Sequence, residues 1–143
     1  MHMNVSEVMT AQVARAEPKT TITEVAKMMV SVESGVIPVT DGDKVVGLIT
    51  DRDIVVRVVA ENKSFDTPVS EVMTSEVETC GKDDNVADAA AKMGARQIRR
   101  LVVIDEAGVL VGMLSLGDLA LDYGAKVVGH TLEEISEDTP RSH

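Results

Sequence analysis

Ile22, Val25, Ala26 and Met29 recur at the three- and four-residue spacing of a single helix face, and Val86, Ala89, Ala90 and Met93 repeat the pattern further on. Each set predicts an amphipathic helix. "VIPVTDGDKVVGLIT" then places two apolar runs on either side of Asp41-Gly42-Asp43, and "RLVVIDEAGVLVGMLS" places two more around Glu106-Ala107-Gly108. Both read as β-hairpins. A second helix follows each hairpin, starting near Asp51 and near Leu116. For the first of these, "IVVRVV" from Ile54 favours strand on propensity alone. The helix there is expected from its counterpart in the other half and from Thr50 as a start signal.

The pattern is duplicated because the sequence is. "VSEVMT" stands at Val5–Thr10 and again at Val69–Thr74, and a shift of 64 positions lays Ile22, Glu24, Ala26, Met29, Val39 and Asp41 on Val86, Asp88, Ala90, Met93, Val103 and Asp105. One inserted residue later, at a shift of 65, "GLITDRDI" from Gly47 lies on "GMLSLGDL" from Gly112. The expected fold is α+β, with two β-α-β-β-α repeats at 5–67 and 68–123 and a tail at 124–143. A unit of this size is marginal alone, so the copies are expected to pack through their sheets about a pseudo-twofold axis, leaving two equivalent clefts.

Composition narrows what such a protein does. The net charge is −10, and Phe65 and Tyr123 are the only aromatic residues, which disfavours both tracking of a nucleic-acid backbone and base stacking. No apolar run approaches the roughly twenty residues that span a bilayer. The lone cysteine, Cys80, and the lack of a signal-peptide pattern point to a reducing, cytoplasmic setting. His2 and His143 sit in stretches resembling cloning remnants, which leaves His130 and Cys80 too far apart to make a metal site. Cys80 has no companion histidine at a recognisable spacing, and no nucleophile-elbow or phosphate-loop motif occurs, so an enzyme is not expected.

The duplication, the leading "VSEVMT" and the segments "PVTDGDKVVGLITDRDI" and "RRLVVIDEAGVLVGMLSLGDL" resemble a tandem pair of CBS domains, a Bateman module, over nearly all of Val5 to Tyr123. The resemblance implies a regulatory module that binds adenine nucleotides or related adenosyl ligands in the clefts between the repeats, and that often pairs into a disc-shaped homodimer. AMP, ADP, ATP, S-adenosylmethionine, NAD and cyclic dinucleotides all fit that description, and no resident cofactor is required.

The candidate chemistry lies in Thr50-x-x-Asp53 and Ser115-x-x-Asp118. A carboxylate there can accept hydrogen bonds from both hydroxyls of a ribose, and the hydroxyl three residues earlier can bond a phosphate or sugar oxygen. The same spacing makes a helix capping box, and the two roles are compatible. Arg96, Arg99 and Arg100 form the one dense basic cluster. Arg100, with Arg99 beside it, falls where relatives often carry a phosphate-contacting arginine, while the simpler reading is a solvated helix end answered by acids. In the first repeat Gly35 and Val36 replace this pair, leaving only Arg52 and Arg57 nearby. The Asp118 site is therefore expected to be the better one. By the resemblance it borrows Thr20 and Thr21 from the first repeat, and Leu48, Met113, Ile37 and Leu101 flank the adenine. Ordinary sheet core is the plainer role for each of those aliphatics.

Two functions remain open from sequence. One is an adenosyl-ligand sensor that signals to an unknown protein partner in trans, and the other is a structural dimerisation module with vestigial clefts.

Overall fold

The computed structural model describes residues 3–122, with side chains described as far as Ala120. The tail helix expected around Thr131 and Glu134, and His130, lie outside the described residues.

The elements run in the anticipated order, once in each half. They are helix α1 (Val5–Val8), β1 (Thr10–Ala11), α2 (Ile22–Val32), β2 (Val36–Asp41), β3 (Lys44–Thr50) and α3 (Asp51–Ile54), then β4 (Thr79–Gly81), α4 (Val86–Arg96), β5 (Arg100–Ile104), β6 (Leu110–Ser115) and α5 (Leu116–Asp122). The predicted helix faces are the buried ones: Ile22, Val25 and Met29 on α2, and Val86, Ala89, Ala90 and Met93 on α4. Both helices stop on a left-handed residue, Glu33 at φ 53° and Gln97 at φ 59°, so the repeat extends to how each helix ends.

The chain divides into two compact units, and these are not the two sequence repeats. One gathers the N-terminal residues to Gln12 with Glu78–Ala107 and the stretch from Val111 onward. Its sheet runs β1-β6-β5-β4, with Thr10 opposite Met113 and Cys80 opposite Val103 in a parallel pair. The other unit takes in Val13–Val77. There the β2-β3 hairpin is flanked by single bridges, Ala16 to Val39 in parallel and Thr74 to Leu48 antiparallel. Each hexapeptide thus serves the hairpin of the other repeat.

Its six letters divide the work. Val5 and Val8 are buried in one core, and Val69 and Val72 in the other. The terminal threonine pairs with the hairpin: Thr74 exchanges both backbone bonds with Leu48, at 2.8 and 2.9 Å, and Thr10 stands opposite Met113. Beside these strands lie Gly47 and Gly112. A Cβ on Gly112 would stand 2.6 Å from the Thr10 carbonyl oxygen, and one on Gly47 would stand 2.9 Å from that of Thr74. The pairing needs glycine because the neighbouring backbone occupies the space.

Two local expectations change. "IVVRVV" is neither strand nor regular α-helix, since after α3 the chain widens into a π-helix over Val55–Val59, with the Ala60 N–H donating to the Val55 carbonyl at 2.9 Å. Burial of Val58 holds this turn against the strand preference of its β-branched neighbours. Pro38, expected at a strand edge or start, is the third residue of β2 and is buried. Its missing N–H costs no ladder bond. On that side the β2 ladder is a single bridge, made by the Ala16 N–H to the Pro38 carbonyl and the Thr40 N–H to the Ala16 carbonyl.

Candidate functional site

Strand β6 ends at Ser115 and α5 begins at the next residue, which puts Asp118 in the first helical turn. The Ser115 N–H donates to Asp118 Oδ2 at 2.9 Å, and the Asp118 N–H donates to Ser115 Oγ at 3.1 Å. The capping box read from sequence is therefore real. It engages one carboxylate oxygen. The other, Oδ1, faces the hydroxyl of Thr10 at 3.4 Å, a long and weak contact from the end of the first hexapeptide. Sequence reasoning passed over Thr10 as a site residue, although its place at the end of a repeated motif marked it.

The arginines reach the same corner through the backbone. The Leu116 N–H donates to the Arg99 carbonyl at 3.1 Å, which ties the entry of β5 to the start of α5. Arg99 and Arg100 are exposed, and among the described residues neither makes an ion pair, whereas Arg96 is answered by Glu78 at 3.9 Å. The pairing with an acid expected of a solvated helix end is seen for Arg96. Met113 and Leu101 are both buried beneath this corner in the sheet.

The Asp53 site repeats the box and differs around it. The Thr50 N–H donates to Asp53 Oδ2 and the Asp53 N–H to Thr50 Oγ1, each at 3.0 Å. The Asp51 N–H donates to the Gly35 carbonyl at 2.9 Å, matching the Leu116 to Arg99 bond. A Cβ on Gly35 would lie 2.6 Å from the Asp51 carboxylate, an exposed group that can swing aside, so what this site lacks at the position of Arg99 is the arginine itself. Val36, at the position of Arg100, is buried, as is Ile37, which belongs to the core of this unit. Leu48 is half-buried. Arg52 is exposed, while Arg57 turns back: its Nε lies 3.9 Å from Asp53 Oδ1, and its Nη1 donates to the carbonyls of Val72 and Met73 at 3.2 Å each.

Thr20 and Thr21 belong to the unit that holds Asp53, and both hydroxyls have local duties. Thr21 caps α2, accepting from the Glu24 N–H at 3.2 Å, and Thr20 accepts from the Glu17 N–H at 2.9 Å. The bonds that Thr21 returns to the Glu24 carboxylate, first from its backbone N–H and then from its hydroxyl, hold that carboxyl below its ordinary pKa.

Cys80 lies in β4 and is buried. Burial, helped by the negative charge of Asp84, pushes its thiol from 9.0 up to about 11. A nucleophilic cysteine needs the opposite shift. Cys80 is expected to resist a thiol-specific disulfide reagent in the native protein and to react at once in denaturant. The raised value also has a sign for stability: the unfolded thiol ionises first, so the contribution of Cys80 is intact below pH 9.0 and is lost as pH rises towards about 11. No group of three potential metal ligands, and no helix long and apolar enough to cross a membrane, occurs among the described residues.

Comparison with known proteins agrees with this duplicated architecture. The family model for the CBS domain matches twice, over residues 5–60 and 69–123, each match starting at the first valine of a hexapeptide. The chain belongs to the CBS domain family. CBS domain-containing protein YhcV of Bacillus subtilis is 41% identical over 134 residues, covering 93% of this chain and 95% of that one. Among solved structures, CBS domain protein PAE2072 from Pyrobaculum aerophilum, complexed with AMP, is 28% identical with a TM-score of 0.76, covering 92% of this chain and 99% of that one. The CBS domain pair of protein MJ0100, in complex with 5'-methylthioadenosine and S-adenosyl-L-methionine, is 28% identical with a TM-score of 0.75, covering 85% and 100%. The α+β fold is that of a CBS pair, and the family is one of regulatory rather than catalytic modules.

Proposed function

We propose that this CBS pair is a sensor that binds an adenosyl ligand at Asp118 and signals to a protein partner in trans. One observation carries the reading: the capping box uses only Oδ2 of Asp118, which leaves Oδ1 turned to a distant hydroxyl. A ribose hydroxyl is a stronger partner for that oxygen than Thr10 at 3.4 Å. The backbone bond from Leu116 to Arg99 puts two arginines at the same corner, fitting a ligand with a phosphate or carboxylate beyond its ribose. AMP, ADP, ATP and S-adenosylmethionine all meet these demands. The AMP complex of PAE2072 and the S-adenosylmethionine complex of MJ0100 support the class. Signalling requires that the ligand favour one shape of the module over another, since equal affinity for both would switch nothing.

The experiment is a thermal-shift screen of the purified protein against these four ligands at millimolar concentration. A ligand present at about a hundred times its Kd adds about 2.7 kcal/mol to stability. A rise of several degrees with at least one ligand is expected. No shift with any of them would return the module to a purely structural role.

That second role has an observation of its own. The exposed large apolar side chains among the described residues are Val30, Val32, Val55, Val56, Val59 and Phe65, all in the unit built on β2 and β3. Val30, Val59 and Phe65 border an apolar groove of about 440 Å³ together with Ile22, Ala26 and Ile54. The second repeat carries Gly94, Arg96, Ala120 and Gly124 at four of the aligned positions, with Leu121 opposite Val56. A twofold homodimer that sets this face against its own copy covers it, because such an interface is self-complementary. Val59→Asp is expected to convert dimer to monomer in light scattering after size exclusion while the melting temperature of the monomer stays near that of the parent. A wild-type chain that is monomeric at high micromolar concentration would contradict the pairing.

A further inference from the structure

We propose that Arg57 is an internal occupant of the Asp53 site, holding it closed to a ribose so that the chain takes up its adenosyl ligand at Asp118 alone. The inference rests on the sensor reading above and adds a specificity determinant to it. A ribose needs both hydroxyls met, and a capped aspartate offers them its second oxygen together with the spare lone pair of the first. At Asp53 the second oxygen is the one facing the Arg57 Nε, at 3.9 Å, and the Asp53 side chain is only 12% exposed.

An ion pair of that length is a weak lock by itself. The anchorage of the guanidinium is what makes it effective. Arg57 Nη1 donates to the carbonyls of Val72 and Met73 at 3.2 Å each, at the end of the second hexapeptide. Swinging the arginine aside for a sugar breaks both bonds and leaves the part-buried Val72 carbonyl short of a donor, a cost that a ligand at Asp118 never meets. Both bonds come from Nη1, which leaves Nε turned towards Asp53 before any ligand arrives.

Among the described residues the second repeat shows no counterpart of this arrangement. Its residue aligned with Arg57 is Asp122, which carries the opposite charge. Asp118 Oδ1 faces a neutral hydroxyl at 3.4 Å instead. The Asp53 site lacks the arginines at its other end too, where Gly35 and Val36 stand at the positions of Arg99 and Arg100. An arginine reaching outward to hold phosphate would serve ligand binding, but this one is tied to its own backbone.

The test is calorimetric titration of the full chain with AMP, and separately with S-adenosylmethionine, using wild type, Asp118→Ala, Asp118→Ala/Arg57→Gln, and the same double variant with Asp53→Ala added. Each protein is first checked for a cooperative melt, with Arg57→Ala replacing Arg57→Gln if the glutamine variant melts without one. Wild type is expected to bind one ligand per chain, Asp118→Ala to bind none, the double variant to recover binding, and the triple variant to lose it again. Two ligands per wild-type chain, or a folded double variant that stays silent beside a binding wild type, would each overturn the role of Arg57 while leaving the sensor reading intact, whereas binding retained in Asp118→Ala would overturn both. Silence from wild type and double variant together would overturn both.

Discussion

Asp118→Ala is expected to weaken binding of AMP or S-adenosylmethionine by at least about a hundredfold. Hydrogen bonds to a charged acceptor contribute about 1.5–3 kcal/mol each, and each 1.4 kcal/mol is a factor of ten in Kd. The same substitution removes half of the α5 capping box, so a stability loss of about 1 kcal/mol should accompany it. Two further variants separate the roles. Ser115→Ala removes the acceptor for the Asp118 N–H and leaves the carboxylate, so it should lower the melting temperature more than it lowers affinity. Asp118→Asn keeps an acceptor for the Ser115 N–H but loses the charge, so affinity should fall further than stability. If all three variants lost affinity only in proportion to stability, Asp118 would be a cap and nothing more.

Gly112→Val is expected to destabilise the protein by about 2 kcal/mol or more, the range in which forced overpacking of a closed site falls. The obstacle is backbone: the Thr10 carbonyl oxygen stands 2.6 Å from where the Cβ would go, and Met9 Sδ stands 2.7 Å away. The methionine can swing aside. The carbonyl cannot move without parting Thr10 from Met113, which frees α1 and the two valines it buries. Gly47→Val should behave alike through Thr74 and Met73, since the two glycines are repeats of one device. Chemical denaturation of both variants measures the effect. By contrast, Gly117→Val, where a Cβ comes no nearer than 3.5 Å to Ser115 Oγ, should leave stability unchanged or raise it by a few tenths of a kcal/mol, since glycine is the poorer helix former of the two.

These two predictions draw on different depths of legibility. The helices, hairpins and capping boxes could be read from the chain because each is a local pattern: a helix face at three- and four-residue spacing, a turn at Gly42, a hydroxyl three residues before an acid. The duplication made each such reading count twice. What spacing could not give was where the hexapeptides go. Their partners are Met113 for Thr10 and Leu48 for Thr74, the first more than a hundred positions away, and no local rule ranks such a partner above a nearer one. The glycines that permit these pairings looked like ordinary strand residues for the same reason.

The asymmetry between the sites was half visible. Gly35 and Val36 in place of Arg99 and Arg100 are differences of sequence, and they are the reason Asp118 is expected to be the better site. Arg57 had the right type and position to serve as a substitute clamp, and only the geometry shows its guanidinium turned onto the Val72 and Met73 carbonyls. A long side chain can reach several groups from one backbone position, so its partner is set by folding rather than by spacing. The aliphatics divide in a similar way, with Ile37 and Leu101 deep in the cores and Leu48 half-buried beside the Thr74 bridge.

The most direct measurement is equilibrium titration of the wild-type chain with AMP and with S-adenosylmethionine by calorimetry. Ligand sensing through Asp118 predicts saturable, micromolar binding of at least one of them, at one ligand per chain. Absence of saturable binding of either ligand at millimolar concentration, in protein that melts cooperatively, would contradict it.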